Sequence, residues 1–302
     1  DFAATRFTTP CSVTKTTDDA SSAAPSSQQA AATSALPALP RLPDIELDAQ
    51  SAIVVDTASG ATLFERNADV QLPLASITKA ALVLAVSEVL PLDSLITVGS
   101  TIPPTGTTGA LPSGSVWRVQ DIIDFTLAGS SNEGAELLAR AADEPLRARY
   151  SAAPVGSAAV WRMDEIARER GLHDMYFLNP SGLDESATQS GGYGSARSVA
   201  ALFAYAASAH AEVFTATARK EVTITSQEGR AVVASNTDDA LDAIPGIVLG
   251  KTGYTDLAGG NLAVVFDTGG HRIVAVVLGS TKDGRFSDMR ALVAGVQKSI
   301  GR

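Results

Sequence analysis

A serine and a lysine at positions 76 and 79 could form a nucleophile and its base. They lie in the stretch PLASITKAALVLAV, residues 73–86, whose apolar run after Lys79 predicts a buried helix. Positions i and i+3 share one helix face, so the two side chains can touch. Burial lowers the pKa of a lysine, and the neutral amine can then accept the proton of the Ser76 hydroxyl. The stretch therefore indicates a Ser–Lys pair that needs no histidine.

The Ser-x-x-Lys spacing alone is weak evidence for such a pair. The same spacing occurs at Ser12 and Lys15, inside a segment rich in Ala, Ser, Thr and Pro with no apolar periodicity. Only the copy at Ser76 begins an apolar helix, where unpaired N–H groups and the helix dipole favour developing negative charge. The helical context therefore favours Ser76 as the nucleophile.

Two further motifs could complete a cleft around this pair. The segment GSSNEG places Ser130 and Asn132 in a tight junction between two predicted helices, where helix capping by Ser130 or Ser131 is the alternative interpretation. The segment GIVLGKTGYT places Lys251 on a predicted strand, with Gly253 leaving room for another backbone to approach. The three motifs together, in this order, favour a catalytic site over three unrelated structural features.

The strands and helices predicted around the three motifs indicate how the fold brings the motifs together. SAIVVDTASGATLFERNAD is typical of an early hairpin, and NLAVVFDTGGHRIVAVVLGS of a late one that turns at residues 267–270. The segments between them have mostly helical periodicity. We expect strands from both chain ends to join in one antiparallel sheet, with a sheet lobe at about 44–80 and 215–302 and a helical lobe at about 81–214. Residues 1–43 are predicted to form a flexible tail.

Composition narrows the classes of function. The net charge of -10 gives no electrostatic basis for binding nucleic acid. Cys11 is the only cysteine, and His173, His210 and His271 lie far apart. These residues exclude a disulfide framework and leave poor material for a metal site or a Ser-His-Asp triad, so no metal and no cofactor are expected. No apolar run of about 18 residues occurs, so any membrane contact would come through a segment upstream of Asp1.

The three motifs resemble those of the penicillin-recognising serine peptidases. Within that group the sequence is similar to the low-molecular-mass D-alanyl-D-alanine carboxypeptidases over about residues 45–300. AIVVDTASGATLFERNADVQLPLASITK, FLNPSGLD, YGSARSVAAL and GKTGYTDLAGGNLAVV also carry the resemblance. It implies an α+β fold like that of β-lactamases and transpeptidases. A five-stranded antiparallel sheet from the N- and C-terminal segments would be flanked by helices and joined to a mostly helical lobe.

The resemblance also implies catalytic roles. Ser76 would be the acylated nucleophile, Lys79 its general base, and Ser130 the relay of a proton to the leaving amine. Lys251 would supply positive potential that keeps Lys79 neutral. The backbone N–H groups of Ser76 and Tyr254 would form the oxyanion hole.

Substrate binding is implied for residues of the second and third motifs and for Arg285 in the segment STKDGRFSD. Asn132 would hold the amide of the substrate, while Thr252 and Arg285 would hold its terminal carboxylate. The complete implied set is Asn132, Lys251, Thr252, Gly253, Tyr254 and Arg285.

The function implied by the resemblance is removal of the terminal D-alanine of peptidoglycan stem peptides through an acyl-enzyme, with covalent inhibition by β-lactams. It also implies a secreted hydrolase of cell-wall synthesis and cell shape, on the periplasmic or cell-wall side of a bacterial membrane. Three alternatives stay open: a D,D-endopeptidase for cross-linked peptidoglycan, a β-lactamase and a non-catalytic wall-binding module. The middle region has no Glu-x-x-Leu-Asn signature, which disfavours the β-lactamase.

Overall fold

Twelve strands and six α-helices make up the regular structure of residues 38–99 and 111–301, the part of the chain that the computed structural model describes. The strands are β1 (Ser51–Asp56), β2 (Thr62–Arg66), β3 (Leu72–Pro73), β4 (Leu95–Thr97), β5 (Val116–Arg118), β6 (Tyr176–Phe177), β7 (Gly192–Gly194), β8 (Glu221–Thr225), β9 (Ala231–Ser235), β10 (Ile247–Thr255), β11 (Gly259–Thr268) and β12 (His271–Ser280). The helices are α1 (Thr78–Ser87), α2 (Val119–Ala128), α3 (Asn132–Arg149), α4 (Ala158–Glu169), α5 (Ala196–Ala209) and α6 (Gly284–Ile300). Three 3₁₀ segments occupy Ala75–Ile77, Ala211–Ala218 and Leu241–Ala243.

A five-stranded antiparallel sheet in the order β10-β11-β12-β1-β2 joins the two ends of the described chain. The first strand enters between β12 and β2, in a register that runs from Ser51 opposite Leu278 to Asp56 opposite Ile273. Its apolar, β-branched residues are buried on both faces, as a central strand requires. The predicted α+β fold with a five-stranded sheet is confirmed.

The hairpin of β8 and β9 corrects one detail of the sequence interpretation. The segment 215–302 is assigned by the sequence to the sheet lobe, but these two strands of it pair only with each other and pack against α2. The strand β8 alternates exposed and buried residues, so it has one face to bury, whereas the central strands are apolar on both faces.

Each face of the sheet is covered by helices. On one face, α6 packs Phe286 and Leu292 against sheet residues that include Val264. On the other face, α5 packs against β12, and the buried Val276 of that strand belongs to the same apolar cluster as α1. This packing begins earlier in the chain than the predicted boundary at residue 44, because Leu42 is buried and its N–H donates to the Leu63 carbonyl at 2.8 Å.

The central helix α1 is buried on nearly all sides. Every residue from Thr78 to Val86 is buried, between α3 and α4 on one side and α5 on another. The predicted single helix is in fact divided, because Ser76 lies in the 3₁₀ turn that precedes α1. Ala75 has a φ of 48°, in the left-handed region that non-glycine residues rarely adopt. The nucleophile candidate therefore sits on a strained turn rather than on regular helix.

None of the helices within the described ranges is, by itself, both long and apolar enough to cross a membrane. The helix α5 and the 3₁₀ segment Ala211–Ala218 reach that length and composition only as a pair, bent by 107°.

Replacing Gly182 with alanine should destabilise the protein by about 3 kcal/mol, the sum of left-handed strain and steric overlap. Gly182 has a φ of 78°, and a Cβ there would overlap the carbonyl group of Ala75. Gly60 is the matched control, since its φ is 72° and a Cβ would meet nothing within 4 Å. Gly60→Ala should therefore lose only about 1 kcal/mol. Urea unfolding of both variants measures the difference, and equal losses would contradict the proposed close approach.

Candidate active site

The side-chain nitrogen of Lys79 lies at the centre of the candidate site. The side chain is fully buried, and its Nζ lies 2.7 Å from Ser76 Oγ, 2.8 Å from Asn132 Oδ1 and 2.6 Å from the Ser181 carbonyl oxygen. The last two atoms can only accept hydrogen bonds. A neutral amine has two N–H groups and one lone pair, so it can donate to both acceptors and turn its lone pair toward the Ser76 hydroxyl. The geometry matches what a base acting on Ser76 requires.

The electrostatic surroundings favour the neutral form of Lys79. Burial, first, and the positive charge of Lys251, second, hold the pKa of Lys79 well below its usual range. The negative charge of Glu136 opposes this shift and raises the pKa of Lys79. The folded site therefore shifts Lys79 toward the form that can accept a proton.

A second buried lysine lies on the strand β10. Lys251 donates hydrogen bonds to Ser130 Oγ at 2.8 Å and to the Thr252 carbonyl at 2.9 Å. Burial and the charge of Arg285 lower the pKa of Lys251 to about 7, while Asp238 acts in the opposite direction. Lys251 thus links the second and third sequence motifs directly.

The junction between α2 and α3 presents Ser130 to Lys251. Ser130 has a φ of 55°, again in the left-handed region, whereas Ser131 caps α3 by accepting a hydrogen bond from the Gly134 N–H at 3.1 Å. Capping and the contact with Lys251 are therefore divided between the two serines. Strained residues of this kind gather where function requires a particular orientation.

The strand β10 passes close to the turn that carries Ser76. A Cβ on Gly253 would lie 2.8 Å from the Leu74 carbonyl oxygen and 3.2 Å from the Ser76 nitrogen. Tyr254 follows Gly253 and is exposed. The two backbone segments that carry the predicted oxyanion donors, at Ser76 and Tyr254, therefore lie side by side.

Arg285 reaches the same region from α6. Its side chain is buried, and Nη1 donates to the Gly253 carbonyl at 2.9 Å. Thr252 lies between Lys251 and Gly253 along β10 and shares a hydrogen bond with Thr237, Oγ1 to Oγ1, at 2.5 Å. One end of the site thus combines two buried cationic side chains with a hydroxyl, a combination suited to a carboxylate.

Three residues that position the site were missed from the sequence. Ser181 contributes only its backbone carbonyl, and Asn179 shapes that turn by accepting from the N–H groups of Ser181 and Gly182 at 3.2 and 2.7 Å. Asn261 donates to the Pro73 carbonyl at 2.9 Å and accepts from the Gly279 N–H at 2.8 Å. The Asn-Pro and Gly of FLNPSGLD were a turn signal, but nothing local marks Asn261.

Activity should decrease as the pH rises through about 7, because Lys251 then loses the proton that makes it a cation for the substrate carboxylate. The profile of kcat/KM against pH measures this alkaline limb. In Lys251→Arg the limb should move to higher pH, since a guanidinium stays protonated. An alkaline limb that stays at the same pH in the variant would contradict the role of Lys251.

No group of three or more His, Cys, Asp or Glu side chains within residues 38–99 and 111–301 is placed to hold a metal ion.

Known proteins of similar sequence are peptidases of the kind that the motifs indicated. Residues 34–282 match the family described as D-alanyl-D-alanine carboxypeptidase. The D-alanyl-D-alanine carboxypeptidase DacB2 of Mycobacterium tuberculosis is 29% identical over 240 residues, which cover 78% of this chain and 77% of that protein. A D-alanyl-D-alanine endopeptidase of Pseudomonas aeruginosa is 32% identical over 142 residues, covering 46% of this chain and 42% of the relative.

A solved structure shares the fold. The penicillin-binding protein D2 of Listeria monocytogenes, in its ampicillin-bound form, superposes with a TM-score of 0.69 at 26% identity, covering 84% of this chain and 99% of that one. The fold is therefore that of the penicillin-binding proteins and transpeptidases, as the sequence motifs indicated. The chain belongs to the D-alanyl-D-alanine carboxypeptidase family of serine peptidases.

Proposed function

We propose that this protein removes the terminal D-alanine of peptidoglycan stem peptides through an acyl-enzyme on Ser76. The observation that carries the mechanism is the fully buried Lys79, held 2.7 Å from Ser76 Oγ between two obligate acceptors. Family membership supports the substrate class.

Acylation follows from the placement of the Lys79 amine beside the Ser76 hydroxyl. Lys79 Nζ takes the proton of Ser76 Oγ as the oxygen attacks the carbonyl carbon of the penultimate D-alanine. The carbonyl electron pair moves to oxygen, which the N–H groups of Ser76 and Tyr254 would stabilise. The carbon–nitrogen bond then breaks, and the proton taken by Lys79 passes through the Ser130 hydroxyl to the leaving amine. Water later hydrolyses the ester.

Selection of a free carboxyl terminus follows from the cationic end of the site. Lys251 and Arg285 would attract the terminal carboxylate, and Thr252 would donate a hydrogen bond to it. Asn132 is, together with the Ser181 carbonyl, one of the two acceptors of Lys79, and its amide group would hold the peptide amide.

β-Lactams should acylate the same serine and stay bound. The Listeria relative was solved in an ampicillin-bound form, which supports the same reaction here. When Ser76 opens a β-lactam ring, the leaving nitrogen stays attached to the acyl group and obstructs the approach of water. Rapid turnover of nitrocefin would instead favour the β-lactamase alternative.

Two assays test the proposed function together. A fluorescent penicillin should label the protein covalently, and a free pentapeptide ending in D-Ala-D-Ala should release D-alanine. Labelling without release from the pentapeptide, together with cleavage of purified cross-linked muropeptides, would favour the endopeptidase, which the Pseudomonas similarity supports over part of the chain. Absence of both labelling and hydrolysis would overturn the covalent mechanism and favour the non-catalytic module.

We further propose that the protein is secreted and acts on the periplasmic or cell-wall side of the membrane, with effects on cell shape. The support is the location of the substrate, since peptidoglycan lies outside the cytoplasm. Fractionation of cells with an antibody against the protein tests this location, and detection only in the cytoplasmic fraction would contradict it.

A further inference from the structure

A cavity of about 430 Å³ opens between α3, the beginning of α4 and the segment 178–180. Glu136, Arg140 and Asp143 line it from α3, spaced so that they share one face of that helix. Asn179 and Pro180 line the facing wall. The proposed function uses none of these five side chains as a substrate contact.

Each wall of this cavity is formed by a segment that also supplies an acceptor for Lys79. The helix α3 begins with Asn132, an acceptor for Lys79 Nζ, and Glu136 follows one turn later, about 6 Å along the helix axis. On the facing wall, Pro180 immediately precedes Ser181, whose carbonyl oxygen is the other acceptor. The cavity therefore adjoins the two segments that supply the acceptors of Lys79, and Glu136 is near enough to act on Lys79 through its charge.

Glu136 is placed to bind a cation from this cavity. Its carboxylate is half-buried, and among the described residues none donates a hydrogen bond to it. Arg140 and Lys79 affect it only through their charges, and Asp143 adds a second carboxylate to the wall. Asp143 already accepts a hydrogen bond from the Ala158 N–H at 3.2 Å and lies 3.9 Å from Arg147, so Glu136 is the carboxylate of this wall that is placed to bind a cation.

The charges of the site are thus opposite at its two ends. Lys251 and Arg285 would hold the carboxylate of the leaving D-alanine and would repel an ammonium group. An ammonium group on the acyl side of the scissile bond instead faces Glu136. A stem peptide with lysine before the two D-alanines carries a side-chain amine at that position. Two peptide units of about 3.8 Å each and a four-carbon side chain give it the reach needed.

We propose that this cavity is the subsite for the amine-bearing residue before D-Ala-D-Ala, and that Glu136 binds its side-chain ammonium. The inference rests on the proposed function for the direction in which the peptide lies. It makes Glu136 a specificity-determining residue that distinguishes a free amine from a blocked one.

The test compares two peptides that differ only at this amine: Nα-acetyl-L-Lys-D-Ala-D-Ala and its Nα,Nε-diacetyl analogue. The wild type should hydrolyse the free amine with a kcat/KM about 10-fold higher, the value expected for one charge-assisted hydrogen bond. In Glu136→Gln the ratio should fall to about 1 as that charge is removed. The ratio is the correct readout because Glu136 also raises the pKa of Lys79, which affects both peptides alike.

Glu144→Gln is the matched control, since Glu144 is an exposed carboxylate on the same helix and does not line the cavity. It should keep the wild-type ratio. A wild type that hydrolyses both peptides equally, or a Glu136→Gln variant that keeps the preference, would overturn the subsite.

Binding separates this inference from the proposed function. Calorimetry with Ser76→Ala measures the affinity for the two peptides without turnover, and the same preference, lost on adding Glu136→Gln, is expected. If the wild type proved inactive while this binding preference held, the proposed function would fail and the subsite would stand. Equal affinities would overturn the subsite whatever the activity.

Discussion

Ser76→Ala should abolish covalent labelling by a fluorescent penicillin and reduce the release of D-alanine by at least about 10⁴-fold, as loss of a catalytic nucleophile does elsewhere. The physical reason is that Lys79 has no other hydroxyl at 2.7 Å from which to take a proton within the described part of the chain. Gel fluorescence and a D-alanine assay measure the two effects.

Ser87→Ala provides the control for this substitution. Ser87 is the last residue of α1, the helix that follows the 3₁₀ turn of Ser76, and the change removes the same atom. It should label at the wild-type rate. Persistent labelling of Ser76→Ala would mean that another residue is the nucleophile, and the assignment of the Ser–Lys pair would be wrong.

Lys79→Arg should reduce the rate of penicillin acylation by about 10³-fold, within the range that general-base catalysis contributes. An arginine keeps its proton, so it cannot accept one from Ser76, although its side chain is also long and carries N–H donors. Stopped-flow acylation measures the rate, and raising the pH should not restore it.

The matched comparison is the Lys-to-Arg substitution at Lys251, the other buried lysine of the site. Lys251→Arg keeps the charge that its role requires, so it should retain far more activity than Lys79→Arg. Because a guanidinium in the fully buried position of Lys79 can disturb folding, circular dichroism and a Lys79→Ala variant accompany the measurement. Acylation of a folded Lys79→Ala variant within tenfold of the wild-type rate would contradict a base at this position.

Much of this arrangement could be predicted from the sequence because its signals are local or compositional. The strands β1 and β12 are apolar on both faces, which marks them as central strands of a sheet. Lys79 in an apolar helix indicated a base of lowered pKa. Family resemblance then supplied the partners from distant parts of the chain, and the structure brings these motifs together.

Other parts had no local signal. Ser181 acts through its backbone carbonyl, a group that every residue carries. The left-handed conformation of Ala75 contradicts the preference of alanine and arises where the backbones near Gly182 and Gly253 pack against it. Asn261 of β11 connects β12, through Gly279, to Pro73, which lies 188 positions from it in the chain. The hairpin of β8 and β9 was misplaced because strand propensity does not reveal which strand is the partner.

The pairing of β1 with β12 has a consequence for synthesis. While the chain emerges from the ribosome, Ser76 and Lys79 are made early, but the strand that completes their sheet ends at Ser280 and the last cation of the site is Arg285. A nascent chain that ends before Arg285 therefore carries the proposed nucleophile without the complete cationic end of the site. The order of translation itself keeps the site incomplete until Arg285 has been made.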